Sequence, residues 1–227
     1  MNYLHQFLYG IYPYIALAIF LFGSLARFER EQYTWKSDSS QMLHAGNLRA
    51  GNILFHIGII GLFFGHMVGL LTPVAVWDSL GVSHGFKQMI AMVAGGVFGT
   101  MCLTGLLILL HRRFSDARIA AVTRFGDKVL LLWILITLAL GLSTIFVSAG
   151  HLDGHMMVLF MSWAQHIFTF RADAAGFIEE APLLFKIHLF MGMSLFVIFP
   201  FTRLVHVWSG FASVTYLRRA WQLVRTR

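Results

Sequence analysis

Only one cysteine, Cys102, occurs in the 227 residues. A lone thiol excludes an intrachain disulfide, a thiolate zinc cage and an iron–sulphur cluster bound by this chain alone. No Cys-x-x-Cys-His run is present, so covalently attached c-type haem is excluded too. Charge is scarce as well: 12% of residues are Asp, Glu, Lys or Arg, against about 25% in an ordinary soluble protein. In their place stand 58% hydrophobic residues and a mean hydropathy of +0.72. The runs Met1–Ala26, Ala50–Trp77, Gln88–His111 and Val129–Leu152 carry no charged residue. Each exceeds the ~20 residues with which a helix crosses a hydrocarbon core. Regular polar/apolar alternation is missing, which argues against a membrane β-barrel. Met1–Phe7 lacks a basic n-region, so the first apolar run is expected to be retained rather than cleaved.

These properties predict an all-α integral membrane protein, one membrane domain over 1–227. Five spanning helices are expected at about 4–26, 51–72, 87–111, 127–149 and 182–208. The net charge of +7 does not point to nucleic acid, because the basic residues sit between and after the apolar runs. With the N-terminus outside and the C-terminus cytoplasmic, the inner side receives Arg27, Arg30, Lys36, Arg49, Arg112, Arg113, Arg118, Arg124, Lys128, Arg203, Arg218, Arg219, Arg225 and Arg227. Only Lys87, Arg171 and Lys186 stay outside, so the split is fourteen against three, as the positive-inside rule asks. Segment 154–170 is near spanning length, but it holds His155, Gln165 and His166, and a sixth span would place the terminal arginines outside. It is expected to be an outer interfacial helix, and 209–227 a cytoplasmic amphipathic tail. Pro200 inside the fifth helix should free the Phe196 carbonyl and bend the helix.

Eleven histidines occur, and most belong to loops or interfaces: His5, His44, His84, His111, His151, His155 and His166. His56, His66, His188 and His206 fall within predicted spans, where an ionisable side chain is costly and marks function by default. The competing explanation is hydrogen-bonded glue between helices. His56 and His66 share the second span, His188 and His206 the fifth, and these two spans run antiparallel. His56 is therefore level with His206 near the inner face, and His66 with His188 near the outer face. The rises differ, roughly 15 Å between the first pair and 27 Å between the second. Tilt, the bend at Pro200 or the cofactor orientation must absorb the mismatch.

Two imidazoles facing one another at lipid depth suit a flat apolar cofactor with two open axial positions, haem b; zinc would want three or four ligands. Gly58, Gly61, Gly65 and Gly69 on the second span, with Gly95, Gly96 and Gly99 on the third, permit close approach by a macrocycle. Small-residue helix packing explains them equally well. Arg112, Arg113 and Arg203 lie near the inner level, as propionate partners or as positive-inside anchors. Filled axial positions restrict such a centre to electron transfer.

At these residues the chain resembles the gamma subunit (di-haem cytochrome b) of membrane-bound respiratory nitrate reductase. The resemblance rests on Ile11-Tyr-Pro-Tyr-Ile15, Gln32-Tyr-Thr-Trp35, Ser39-Ser-Gln-Met-Leu43, Asn52-Ile-Leu-Phe-His-Ile-Gly58, Gly65-His66 and Leu71-Thr-Pro73. It continues through Trp163-Ala-Gln165 and from His188-Leu-Phe-Met-Gly-Met-Ser-Leu to Phe199-Pro-Phe-Thr-Arg-Leu-Val-His206-Val-Trp208, almost end to end. The resemblance implies two haem b groups, one inner on His56 and His206 and one outer on His66 and His188. It implies quinol oxidation near the outer haem, with His66 on the quinol side. The family's quinol-site lysine corresponds to Lys87, although the preceding loop 74–86 matches only with a one-residue shift; the plain alternative is a snorkelling residue at the outer interface. The implied partners are an iron–sulphur beta subunit and a molybdenum alpha subunit on the cytoplasmic side, besides membrane lipid and quinol. The implied location is a bacterial or archaeal cytoplasmic membrane, and the implied setting anaerobic respiration and nitrate assimilation. Inward electron flow would separate charge, about 2.3 kcal/mol per charge per 100 mV. Three rivals keep part of this reading: a cytochrome of another quinone-linked reductase, a histidine-based proton-coupled transporter, and a haem-free anchor.

Overall fold

The computed structural model describes residues 2–31 and 47–208. The motifs 32–35 and 39–43, together with Lys36, His44 and the predicted tail 209–227, lie outside the described residues. Within the described residues the chain is helical without strands. Among the described residues five helices are long and apolar enough to cross a membrane: α1 (Tyr3–Glu31), α2 (Leu48–Leu71), α4 (His84–Ser115), α6 (Phe125–Ala149) and α8, which starts at Leu183. Short helices α3 (Val74–Ser79) and α5 (Ala117–Val122) join the spans, and α7 (His155–Phe168) covers the segment between α6 and α8. The 14 residues of α7 rise only about 21 Å, too little to span.

α1 is not uniform. Pro13 has no N–H, so the Tyr9 carbonyl one turn earlier loses its helical donor. The chain widens there into a π-turn over Phe7–Ile11, and the Trp163 indole of α7 donates to that carbonyl at 2.8 Å. Gln165 performs a similar service for α2, donating from Nε2 to the Leu70 and Thr72 carbonyls at 3.3 and 3.1 Å. The Trp163–Gln165 motif therefore docks α7 across the ends of α1 and α2. Tyr9, Trp163, Ala164, Ile167 and Ile178 form a buried apolar cluster there.

The α2–α4 seam depends on small residues. A Cβ at Gly58 would collide with the Cys102 backbone, and one at Gly105 with the Phe55 backbone. Contact this close between backbones is how helices gain packing energy in lipid, where the hydrophobic effect between them vanishes. Cys102, Leu106, Leu130, Ile134 and Leu138 continue the core between α4 and α6. α8 packs on α1 and α6, whereas α2 packs on α4 and α7. α2 and α8 thus flank a cleft instead of packing along one another.

The fifth span departs from the expected continuous helix over 182–208. The α-helical part ends at Ile198, followed by 3-10 turns at Phe199–Phe201 and Arg203–Val205. Thr202 between them is extended, with φ −123° and ψ 178°. Pro200 does more than bend the helix: with no N–H to continue the ladder, the chain stops and changes direction. The Arg27 guanidinium of α1 donates to the carbonyls of Pro200 and Thr202 at 2.7 and 2.9 Å. Because of this break, the straight rise of roughly 27 Å assumed between His188 and His206 does not apply.

Candidate functional site: two histidine pairs across a cleft

Across the α2–α8 cleft the four span histidines meet in two pairs. The rings of His56 and His206 have centroids 6.2 Å apart, and those of His66 and His188 are also 6.2 Å apart. Two imidazoles sharing one metal should stand at nearly this separation. About 2 Å of metal–nitrogen bond plus roughly 1.2 Å of ring radius on each side, from ordinary bond lengths, spans about 6.4 Å. The antiparallel pairing expected from the sequence is the one the fold builds.

Every one of the four rings is oriented through the same atom. His56 Nδ1 meets the Asn52 carbonyl at 2.8 Å, and His66 Nδ1 the Leu62 carbonyl at 2.7 Å. Both partners lie one turn back on α2. His188 Nδ1 reaches across to the Thr137 carbonyl of α6 at 3.0 Å, and His206 Nδ1 binds the Arg203 carbonyl. A carbonyl only accepts, so each Nδ1 carries the proton and each Nε2 presents a lone pair. That tautomer is the one a metal-binding imidazole needs, and the Nδ1–H bond fixes both ring orientation and basicity.

Among the described residues no three His, Cys, Asp or Glu side chains gather as a metal cage. Each pair offers two ligands, which fits a metal that brings its own equatorial donors. The glycines divide by role. Gly61 and Gly99 are filled from the neighbouring helix by Phe98 and Leu142, whereas Gly65 and Gly69 on α2 and Gly192 on α8 face open space. Gly192 lies one turn beyond His188. Gly141, which the sequence reading passed over, is a third kind: a Cβ there would stand 2.8 Å from His188 Cε1. Trp133 Nε1 donates to the Met191 carbonyl at 3.1 Å and locks α6 to α8 beside it.

Lys87 does not snorkel outward. It is 5% exposed, and its Nζ donates to the Gly69 carbonyl at 3.0 Å. Gly69 is three residues past His66, so the ammonium lies one turn from the His66–His188 pair. Its other neighbours are Met161 Sδ at 2.7 Å and the face of Trp77, 4.6 Å to the centroid. Thioether and ring face are weak partners for an ammonium with three donors. Beside it Gln88 donates to the Ser148 and His151 carbonyls at 3.1 and 2.8 Å, closing the end of α6.

At the opposite end, Arg112 is buried on α4. Arg203 donates from Nε and Nη2 to the two oxygens of Asp127 at 2.8 and 2.7 Å. Arg113 approaches the same carboxylate at 4.0 Å. Asp127 lies in the first turn of α6 and was not singled out in the sequence. Its signal there, one acid amid many bases, is that of any helix N-terminus.

Comparison with known proteins accords with this architecture. The chain is 44% identical to the respiratory nitrate reductase 1 gamma chain of Escherichia coli (strain K12) over all 227 residues, which is the full length of both. It is 43% identical to the respiratory nitrate reductase 2 gamma chain of the same organism, over 100% of this chain and 99% of that one. Identity to the nitrate reductase gamma chain of Bacillus subtilis (strain 168) is 37%, over 98% of each chain. The two Escherichia coli names speak of respiration, and none of the three lends support to nitrate assimilation. The family model described as nitrate reductase gamma subunit matches residues 5–227, and the chain belongs to that family.

Proposed function

We propose that this chain is the quinol-oxidising, electron-transferring membrane subunit of a respiratory nitrate reductase, with haem b held by His56 and His206 at one end of the cleft and a second haem b held by His66 and His188 at the other. The observation that carries the reading is the pair of 6.2 Å ring separations, combined with four Nδ1–H groups committed to backbone carbonyls. Bound between two imidazoles, a haem supplies one-electron transfer without an open position for a substrate.

The chain's own residues do the rest. The carbonyls of Asn52, Leu62, Thr137 and Arg203 hold the imidazoles with Nε2 presented. Gly65, Gly69 and Gly192 keep the cleft walls free of side chains. Arg112 and Arg203 place positive charge at the His56–His206 end for propionates. Lys87, buried one turn from His66, offers N–H donors to a quinol oxygen and orients the ring beside the His66–His188 pair. Overall, quinol becomes quinone, its two protons leave at the His66 end, and its two electrons pass towards partner subunits at the other.

The relatives' names make this a gamma chain within a complex, so alpha and beta partners are expected where the electrons leave. The positive-inside count supports assigning that end, with His56 and His206, to the cytoplasmic face of a bacterial or archaeal inner membrane. A proton relay through the same histidines is disfavoured by the hydrogen bonds at Nδ1, because a relaying imidazole exchanges protons at both nitrogens.

The test is selective haem loss. His66→Ala or His188→Ala should remove one b-type centre and stop quinol oxidation, whereas His56→Ala or His206→Ala should remove the other. Loss of the same centre in all four variants, or of neither, would refute the pairing.

A further inference from the structure

The His56–His206 pair is supported unequally. His56 is braced by its own helix, through the Asn52 carbonyl one turn away. His206 lies past the break in the fifth span, and its Nδ1–H is held by the carbonyl of Arg203 within a three-residue 3-10 turn. So short a turn has little rigidity of its own. Its anchorage comes from outside: Arg203 binds both oxygens of Asp127 through Nε and Nη2 at 2.8 and 2.7 Å. The carboxylate and guanidinium side chains are only 12% and 18% exposed. Two-point binding of this kind fixes direction as well as distance. Thr202 adds its hydroxyl oxygen, which accepts from Leu204 N at 3.4 Å.

We propose that Asp127 is the positioning residue of the His206 ligand: its two-point grip on Arg203 holds the carbonyl that orients His206, and its negative charge sets the potential of the His56–His206 centre. The inference rests on haem being held there. The oxidised centre carries one more positive charge than the reduced one, so a nearby carboxylate favours oxidation and lowers the potential. Arg203 and Arg113 oppose this, and Arg113 stands 4.0 Å from the carboxylate. With Asp127 neutralised, both cations act on the centre uncompensated, in surroundings largely shielded from water where charge is weakly screened.

The test uses the assembled complex and reads each haem separately by redox titration and low-spin electron paramagnetic resonance. Asp127→Asn keeps the size and one acceptor oxygen but loses the charge and half the grip. The potential of the His56–His206 centre should rise by a few-fold in its redox equilibrium, about 59 mV for each tenfold. Its resonance should shift, the His66–His188 centre should stay as in wild type, and Asp127→Glu should move both signals back. An unchanged His56–His206 centre, or equal shifts at both centres, would overturn the proposal. If Asp127→Asn does not accumulate, Arg113→Gln decides. It leaves the Asp127–Arg203 bonds in place, so the potential should fall while the resonance persists, and an unaltered potential would overturn the idea. Absence of any b-type haem from the wild type would instead defeat the functional reading beneath it.

Discussion

Gly141→Ala tests the positioning of His188 by a single methyl group. The new Cβ would stand 2.8 Å from Cε1 and 3.3 Å from Nε2 of His188, whereas ordinary contact begins at 3.4 Å. The ring must therefore retreat from α6 by about 0.6 Å, a displacement large against the tolerance of a ligand site. The same helix carries the Thr137 carbonyl, 3.0 Å from His188 Nδ1, so the retreat stretches that bond towards about 3.6 Å, where it no longer counts as a hydrogen bond. Loss of such an orienting partner costs about 10–100-fold in metal affinity. Helix propensity works in the opposite direction, since alanine is the better helix former by about 1 kcal/mol; a defect therefore comes from the ring and not from α6. The assay is haem content and resonance of each centre in the purified variant. The His66–His188 centre should be depleted or shifted, with the His56–His206 centre intact. A wild-type His66–His188 centre in Gly141→Ala would refute the argument.

Gly192→Ala makes the complementary case, because a Cβ there meets no protein atom within 4 Å. Stability of the haem-free chain should be unchanged while haem occupancy beside His188 falls; full occupancy would show that nothing flat reaches that wall. Lys87→Ala should leave both centres in place and lower quinol oxidation about 10–100-fold, the equivalent of one charge-assisted hydrogen bond of about 1.5–3 kcal/mol. Steady-state kinetics with a soluble quinol analogue check this, and wild-type rates would return Lys87 to a purely structural role. Trp163→Phe removes the donor to the Tyr9 carbonyl and strands it in a buried site, at a cost of about 1–3 kcal/mol. A thermal melt in detergent should show the loss, and an unchanged midpoint would mean that the π-turn finds another donor.

The legible part of the fold was whatever depended on length and apolarity: five spans, their order and the opposed directions of α2 and α8. Direction alone was enough to pair His56 with His206 and His66 with His188. The end of the fifth span was not legible, because a proline within a helix reads equally as a kink or a stop. Arg27, 173 residues away in the chain, donates to the Pro200 carbonyl at the break, a contact that the local sequence does not show. The division of the glycines was hidden for a similar reason: Gly58 and Gly65 look alike in sequence, yet one touches a backbone and the other faces open space. Trp163 was visible only through resemblance and Gln165 otherwise only as a polar residue of its segment; their hydrogen bonds supply the physical reason for them. Gly141 and Asp127 carried no signal, since a helical glycine and a first-turn acid are ordinary until a distant histidine is placed against them. The expected α4 boundaries were short at both ends, because His84, Arg112, Arg113 and Ser115 are polar yet helical; a helix can run beyond the apolar run.

The central claim, that opposed imidazoles hold two iron porphyrins, is tested most directly by counting haem in the intact complex. Chemical quantification of haem b against this chain, with a reduced-minus-oxidised spectrum, should return two low-spin b-type centres per chain with distinct potentials. One centre, or none, would contradict it.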